Sequence, residues 1–340
     1  MFVVLNQDLQ GHPISGDGQL GDAGRRTLGA SDTGCLEIGL VNNMPDAALR
    51  PTERQFSRLL AAAAGRHTVR LHFYSLDSIR RGDEARAYLR TTYGDLAELR
   101  SAGLDALIVT GCEPCAPHLS DEPYWQDLAG IVDWAEDNTT TTLWSCLAAH
   151  AAVLHMDGVE RHRLADKRFG VLDCDVVSDS PLVAGIRSPF RVSHSRWNEL
   201  RADELTAAGY RILTRSTAGD VDMFARERKS LFLFFQGHPE YTAYSLMGEY
   251  RRDVGRYLRG EMARYPATPL GYFDSKTEQR LAAFGEKAAG ARDPALLEEF
   301  PGSGMLRPRS VRRLTTSGVA VIRNWLSSIA TRKGEGAWAS

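Results

Sequence analysis

Cys146 lies in the segment Thr141–His150, where an apolar run of β-forming residues gives way to helix-forming residues. A side chain on a sharp strand-to-helix turn projects above the sheet, and the amides that follow it point toward the group it attacks. The helix N-terminus also favours the thiolate, which is the nucleophilic form of cysteine. A cysteine in an apolar stretch is more often an inert buried residue. The turn therefore makes Cys146 a candidate nucleophile without establishing it.

A second motif, Gly237-His238-Pro239-Glu240, follows the strand-like run 230–236. In a parallel α/β sheet, the loops at the carboxyl ends of the strands converge on one crevice. His238 can then take the thiol proton of Cys146, while Glu240 holds the other imidazole nitrogen. The alternative is a packed loop histidine beside a surface glutamate. The two motifs together favour a Cys146–His238–Glu240 triad.

Alternating strand-like and helix-like segments position these motifs. The segments that read as strands in the first half are 35–41, 69–74, 106–110 and 140–144. Helical patterns lie between them, opening at Pro51 and spanning Asp83–Leu99 and Pro123–Asn138. This alternation predicts an α/β fold with a doubly wound, mostly parallel sheet.

After Leu154 the pattern changes to strand-like runs joined by short turns. These runs are 169–177, 190–197, 210–215, 221–226 and 230–235. They predict an antiparallel section that returns the chain to the parallel sheet and delivers His238. We expect helices at 245–258, at 278–289 and, in a C-terminal helical extension, at 311–330.

The expected organisation has three parts. Residues 1–34 are rich in Gly, Asp and Ser and read as an irregular leader. Residues 35–260 form the domain that carries both motifs. Residues 261–340 form an extension rich in Pro, Gly and charge, whose terminal helix docks on that domain.

Composition and charge exclude several classes of function. A hydrophobic content of 43% and a charged content of 25% are ordinary for a globular chain, and the net charge of −2 gives no reason to expect nucleic acid or an anionic membrane as partner. Five cysteines indicate no disulfide framework. We find neither an export leader nor an apolar run of membrane-spanning length, so the expected location is cytoplasmic.

The order of the motifs along 36–258 carries a family resemblance. The matching segments are Val41–Pro45, Thr52–Leu60, Ile108–Gly111, Tyr124-Trp125, Val132–Trp134, Ser145-Cys146, Lys167–Val171, His194–Arg196, Gly237–Tyr241 and Glu249–Asp253. With them the chain resembles the homoserine O-acyltransferases of the class I glutamine amidotransferase-like superfamily, of the homoserine O-succinyltransferase type of methionine biosynthesis.

The resemblance implies roles for individual residues. Cys146 matches the acyl-accepting cysteine, His238 the base and Glu240 its partner. The positions that match those holding the amino-acid substrate are Lys167, Ser195 and Arg252. A guanidinium suits this task because it neutralises a carboxylate with two parallel hydrogen bonds.

The chain departs from the family pattern in two places. Asp46-Ala47-Ala48 stands where a basic residue usually follows Met-Pro. The position that resembles the acyl-size selector holds Cys115, whereas Gly there resembles succinyl users and Glu resembles acetyl users. A small neutral side chain leaves room for succinyl, so succinyl is favoured and acetyl stays open.

The expected reaction moves an acyl group from acyl-CoA, as co-substrate, to the hydroxyl of L-homoserine through a Cys146 thioester. The amides of Leu147 and Cys112 are expected to stabilise the tetrahedral oxyanion. No cofactor or metal is expected. The partners are acyl-CoA and a small amino acid, with the oligomeric state left open and a homodimer considered.

Three other functions compete with this one. A glutamine amidotransferase uses the same triad, but usually has Gly two residues before the cysteine, where this chain has Trp144. The same fold can acylate serine or another small amino acid, because one methylene changes binding by only about 1–3 kcal/mol. The third is a non-catalytic binding module.

A metal or redox site at Cys112, Cys115 and His118 is also conceivable from their spacing. A structural zinc site normally has four ligands, and no second ligand pair is visible in the sequence. Redox C-x-x-C motifs open a helix after a strand, whereas this one enters a proline-rich loop. Both observations count against the site.

Overall fold

A computed structural model describes residues 2–5, 34–302 and 311–336. Its strands are β1 (Phe2–Leu5), β2 (Cys35–Val41), β3 (Thr68–Tyr74), β4 (Ala106–Thr110), β5 (Thr141–Ser145), β6 (His162–Val176), β7 (Phe190–Glu199), β8 (Arg211–Ser216), β9 (Val221–Glu227) and β10 (Leu231–Phe235). Its α-helices are α1 (Asp46–Ala63), α2 (Asp83–Thr92), α3 (Leu96–Ser101), α4 (Trp125–Asn138), α5 (Leu147–Asp157), α6 (Ala202–Ala207), α7 (Ser245–Leu258), α8 (Ser275–Ala291) and α9 (Val311–Gly336).

These strands form one sheet in the order β1-β3-β2-β4-β5-β10-β9-β8-β6-β7. The run from β3 to β10 is parallel, and the strands from β9 to β7 continue the sheet in antiparallel pairs. The predicted α/β fold, with a doubly wound parallel part and an antiparallel section, is therefore confirmed.

Apolar helices cover both faces of the sheet. One face packs against α1 and α9 through side chains such as Phe56, Leu60 and Trp325. The other packs against α4 and α5, with Leu128, Ile131 and the alanines of α5 in the same core. The central strands β4 and β5 are buried along their whole length, which explains the apolar run 106–109 of β4.

The terminal helix α9 docks across the sheet from the far end of the chain. Trp325 is completely buried, and its indole Nε1 donates a hydrogen bond to Thr141 Oγ1 at 3.0 Å. Thr141 is the first residue of β5, the strand that leads to Cys146. The extension thus supports the strand beneath the candidate nucleophile.

Several boundaries differ from those predicted, and the segment Asp83–Leu99, predicted as one helix, divides into α2 and α3. Residues 2–5 of the expected leader form β1, antiparallel to β3, because Phe2-Val3-Val4-Leu5 suits an edge strand; residues 6–33 lie outside the described residues. Helix α1 begins at Asp46 rather than at Pro51, and Asp46 Oδ2 accepts the Gly82 amide at 2.8 Å. Strand β6 begins at His162, seven residues earlier than predicted, through pairing with β7.

In residues 2–5, 34–302 and 311–336, the helices are all too short or too polar to cross a membrane.

Candidate active site

Strands β5 and β10 lie side by side and end together, with Ser145 paired to Phe235. The next amide, that of Cys146, donates to the Phe235 carbonyl at 2.7 Å. Cys146 has φ 54° and ψ −114°, a left-handed conformation that non-glycine residues rarely adopt. This conformation turns the chain from β5 into α5 and places Cys146 at the helix N-terminus. The predicted strand-to-helix turn is present.

His238 follows β10 and meets Cys146 across the crevice. Its backbone amide donates to the Ser193 carbonyl of β7 at 2.8 Å, which fixes the loop. Its Nδ1 lies 2.8 Å from Glu240 Oε1, and the Cys146 side chain lies close enough to its imidazole to raise the pKa of His238. The structure therefore brings the predicted nucleophile, base and orienter together.

The electrostatics favour a charged imidazole. Burial lowers the pKa of His238, but the Glu240 carboxylate and the Cys146 sulfur outweigh that effect and raise the pKa well above its usual value. Glu240 is itself buried, so its charge is poorly screened by water. A protonated imidazole on His238 is the state that this environment stabilises.

The loop after β4 lies directly against the start of α5. A Cβ on Gly111 would come within 2.7 Å of Leu147 Cβ and 3.1 Å of the Leu147 amide nitrogen. The Leu147 amide opens α5, where amides have no acceptor within the helix. The close approach of Gly111 brings the neighbouring Cys112 backbone to the same corner. The Leu147 amide thus lies against the loop that contains Cys112, and the oxyanion roles of Leu147 and Cys112 remain predictions.

The predicted substrate residues converge on two carboxylates of α7. Lys167 Nζ contacts Asp253 at 2.8 Å and Glu249 at 3.5 Å, while Ser195 Oγ donates to Glu249. Arg252 donates from Nε and Nη2 to Asp253 Oδ1 at 3.0 and 2.9 Å. The guanidinium of Arg252 stays half exposed, so it can still receive a ligand.

Sequence reasoning missed three residues of this cluster. Glu249 and Asp253 lie four residues apart on α7, and Tyr241 connects them to the base. The Tyr241 hydroxyl donates to Glu249 Oε1, and its ring stacks on His238. The spacing of Glu249, Arg252 and Asp253 at i, i+3 and i+4 places them on one helical face and was the available signal.

Comparison with known proteins gives the family. A sequence model described as homoserine O-succinyltransferase matches residues 25–327. The chain is 52% identical to the homoserine O-succinyltransferase of Rhodopseudomonas palustris over 87% of its length and 89% of that protein. It is 51% identical to that of Bradyrhizobium japonicum over 87% of its length and 90% of that protein.

The chain belongs to the homoserine O-succinyltransferase family. The resemblance inferred from the motifs is thereby confirmed, and the chain is an enzyme, an acyltransferase of methionine biosynthesis. Among solved structures, it is similar to a glutamine amidotransferase from Thermotoga maritima, with a TM-score of 0.46 and 12% identity over 87% of this chain and 98% of that one.

The loop Gly111–Pro117 contains two cysteines, Cys112 and Cys115, which lie in different environments. Burial raises the pKa of the Cys112 thiol to about 12, whereas Cys115 is exposed. The amides of Cys115 and Ala116 both donate to Glu122 Oε1 at 2.8 Å. The selector role of Cys115 remains a prediction.

A separate buried cluster packs against Gly237, the first residue of the loop that carries His238. Cys174, His194 and Asp222 have ligand atoms within 4.8 Å of one another. Arg196 Nε donates to His194 Nδ1 at 3.4 Å, so the proton of the neutral imidazole lies on Nε2, which faces Asp222 Oδ1 at 3.2 Å. Neither His194 Nε2 nor Asp222 Oδ1 has a hydrogen-bond partner among the described residues, so the two buried groups face each other at ion-pair distance. Burial raises the pKa of the Cys174 thiol, which disfavours a nucleophilic role.

Proposed function

We propose that this enzyme transfers an acyl group, with succinyl favoured, from acyl-CoA to the hydroxyl of L-homoserine through a thioester on Cys146. The observation that carries the proposal is the contact of Cys146 with His238, whose Nδ1 lies 2.8 Å from Glu240. The names of the relatives, homoserine O-succinyltransferase, support the choice of acceptor and acyl group.

In the first half-reaction, the Cys146 thiolate attacks the thioester carbonyl. The developing oxyanion is stabilised by the amides of Leu147 and Cys112, each worth about 3 kcal/mol in comparable sites. Collapse of the tetrahedral intermediate breaks the bond to CoA. The imidazolium of His238 protonates the departing thiolate, which leaves an acyl-Cys146 thioester and a neutral imidazole.

In the second half-reaction, the neutral imidazole of His238 removes the proton of the homoserine hydroxyl. The resulting oxygen nucleophile attacks the acyl thioester, and the second tetrahedral intermediate uses the same amides. Its collapse releases O-acyl-homoserine and restores the Cys146 thiolate beside the His238 imidazolium. Glu240 holds the imidazole in one orientation throughout both halves.

The acceptor's amino-acid group fits the charges on α7. The Nε edge of Arg252 is occupied by Asp253, and Nη2 also lies 3.7 Å from Glu249 Oε2, which leaves Nη1 and the exposed side of Nη2 to bind the α-carboxylate as a fork. Glu249, which accepts from Ser195 and Tyr241, supplies a negative charge for the α-ammonium. Lys167 holds Glu249 and Asp253 in place. This site selects an α-amino acid with a short hydroxylated side chain.

Intact-mass spectrometry tests the proposal directly. Purified enzyme incubated with succinyl-CoA alone should gain one succinyl group and release CoA, and homoserine should then discharge the adduct as O-succinyl-homoserine. Cys146→Ala should form no adduct, whereas Cys115→Ala, which removes an exposed thiol of the same chain, should still form it.

Parallel reactions separate the competing functions. Acetyl-CoA in place of succinyl-CoA measures the acyl preference, and serine in place of homoserine measures the acceptor preference. Glutamine tests for an amidotransferase, which would release ammonia. Product formation without a Cys146 adduct, or glutamine hydrolysis in place of acyl transfer, would overturn the proposal.

A further inference from the structure

A cavity of about 440 Å³ opens at the carboxyl end of β3, away from the acceptor site on α7. It is formed by the loop that follows β3 and by the facing side of α2. The basic residues lining it are Arg80, Arg81, Arg86 and Arg90. The acidic residues lining it are Asp77 and Asp95. Arg81 and Arg86 pair with Asp46 and Asp83 outside the lining, so Arg80 and Arg90 are the lining guanidiniums that have no ion pair among the described residues.

Two of these arginines are available to a ligand. Arg80 and Arg90 are exposed, and neither has a hydrogen-bond or ion-pair partner among residues 2–5, 34–302 and 311–336. The side chain of Arg81 is only 4% exposed, and its Nε has no acceptor among those same residues. Arg86, by contrast, pairs with Asp83. An anion in the cavity would therefore meet two uncompensated cations.

The cavity and the nucleophile both lie at the carboxyl ends of the parallel strands. Strands β3, β2, β4 and β5 are parallel neighbours, so the ends of β3 and β5 are about 14 Å apart. The loop Gly111–Cys115 joins the two places. Partial desolvation and the neighbouring Glu122 raise the pKa of the exposed Cys115 thiol, and the charge of Arg80 opposes that shift, so the guanidinium lies within electrostatic range of the thiol. At the other end of the loop, Gly111 touches Leu147.

We infer that this arginine-lined cavity, hereafter the arginine pocket, binds the phosphate groups of the CoA donor. The pantetheine arm of the donor then follows the Gly111–Cys115 loop to Cys146. The inference rests on the proposed function, because it concerns the donor of that reaction. Guanidinium groups bind phosphate oxygens through paired, charge-assisted hydrogen bonds. The pantetheine arm, which joins β-alanyl and cysteamine units, is long enough to cover the distance between β3 and β5.

The test compares two donors that share the reactive thioester, one with and one without the phosphate-bearing part. Succinyl-CoA carries the nucleotide phosphates, and succinyl-N-acetylcysteamine carries the same reactive thioester without them. The double variant Arg80→Gln/Arg90→Gln should raise KM for succinyl-CoA at least tenfold relative to KM for the truncated thioester, because each lost charged hydrogen bond weakens binding by a factor of about ten. Adenosine 3′,5′-bisphosphate should compete with succinyl-CoA in the wild type and lose about as much affinity in the variant.

The matched control is Arg58→Gln/Arg66→Gln, which removes two exposed arginines. Arg58 lies on α1 and Arg66 lies between α1 and β3, toward the opposite end of the parallel strands. The control changes the net charge equally and should leave KM for succinyl-CoA at the wild-type value. If the control raises KM as much as the pocket variant does, or if the pocket variant leaves KM for succinyl-CoA unchanged, the inference is overturned. If the wild type accepts neither thioester, the proposed function itself fails, which is a distinct result.

Discussion

The ring of Tyr241 lies flat against the imidazole of His238, with centroids 4.1 Å apart and an interplanar angle of 17°. The Tyr241 hydroxyl donates to Glu249, so one side chain contacts both the base and the acceptor cluster on α7. Stacking limits the rotation of the imidazole, and the hydroxyl orients the carboxylate. A base and an acceptor pocket built on different elements are thereby held at a fixed separation.

Tyr241→Phe separates these two roles, because it keeps the stacked ring and removes the hydroxyl. We expect KM for homoserine to rise about tenfold, since a hydrogen bond to a charged group contributes about 1.5–3 kcal/mol. The rate of enzyme acylation by the donor should stay close to wild type. Stopped-flow measurement of CoA release, beside steady-state kinetics, checks both values. Tyr244→Phe, at an exposed tyrosine nearby, is the control, and an equal loss of both half-reactions would contradict the assigned role.

Glu240→Gln should shift the pH dependence of thiol reactivity. The Glu240 charge raises the pKa of His238 against the opposing effect of burial, so its removal should lower that pKa. A histidine with a raised pKa stays protonated as the pH rises above 6.5 and loses its proton only near the higher value. In the variant the imidazolium should be lost at lower pH, and with it the thiolate that it stabilises.

Alkylation of Cys146 by iodoacetamide between pH 5 and 9, followed by mass spectrometry, measures this shift. The same linkage predicts that the ion pair adds stability below pH 6.5 that disappears as the pH rises through the pKa of folded His238. Glu278→Gln, at an exposed position on α8, should reproduce the wild-type profile. Identical profiles for Glu240→Gln and wild type would exclude Glu240 as the charge partner of the base.

The parallel half of the fold was predictable because its strands are buried on both faces. Segments such as Ala106–Thr110 and Leu231–Phe235 are continuously apolar, and a turn or helix signal follows each. The turn at Cys146 was predictable for the same reason, because it directly follows the buried strand β5. Both motifs that form the triad lie directly after such strands, so their meeting followed from the topology of a parallel sheet.

The remaining differences depend on contacts between distant segments. Residues 162–168 are charged and only half-buried, and they become part of β6 because β7 pairs with them. The carboxylates of Glu249 and Asp253 gain their importance from Lys167, Ser195 and Tyr241, which come from other elements. No pattern within a single segment of the sequence predicts these contacts between distant segments. The arginine pocket likewise draws its residues from a loop and a helix that look ordinary in sequence.

Arg252→Lys should weaken acceptor binding selectively. A lysine can make an ion pair with a carboxylate but cannot present a fork, so we expect KM for homoserine to rise about 10- to 100-fold. Acylation of Cys146 by the donor should be unaffected. The neighbouring Arg251 is exposed and has no ion pair among the described residues, so Arg251→Lys is a closely matched control. Steady-state kinetics with varied homoserine measures the effect, and a loss of donor acylation would indicate a structural role instead.

Gly111→Ala should damage the oxyanion corner. The added Cβ would meet Leu147 Cβ at 2.7 Å and crowd the Leu147 amide, so the loop or the start of α5 must move. Misplacing one oxyanion donor typically lowers kcat by about 10²- to 10³-fold. Gly130→Ala in α4, where the nearest atom lies at 3.6 Å, should leave kcat unchanged. Thermal unfolding measured on both variants separates a catalytic effect from a loss of folding, and an unchanged kcat for Gly111→Ala would remove Leu147 from the oxyanion site.

Cys115→Glu tests whether this position selects the acyl group. The side chain is exposed on the loop between the arginine pocket and the oxyanion corner, and its backbone amide is held by Glu122 at 2.8 Å. A second carboxylate here would add bulk and repel the terminal carboxylate of a succinyl group, whereas acetyl carries no charge to repel. We expect the ratio of kcat/KM for succinyl-CoA to that for acetyl-CoA to fall about tenfold or more.

Cys115→Gln has nearly the same volume as Cys115→Glu and carries no charge, so comparing the two separates steric from electrostatic exclusion. If charge decides the preference, Cys115→Gln should keep most of the succinyl activity. If bulk decides it, both variants should lose succinyl transfer equally, while Cys115→Ala keeps it. A wild-type enzyme that prefers acetyl-CoA, with a ratio that none of these variants changes, would refute both the succinyl donor and the selector role of Cys115.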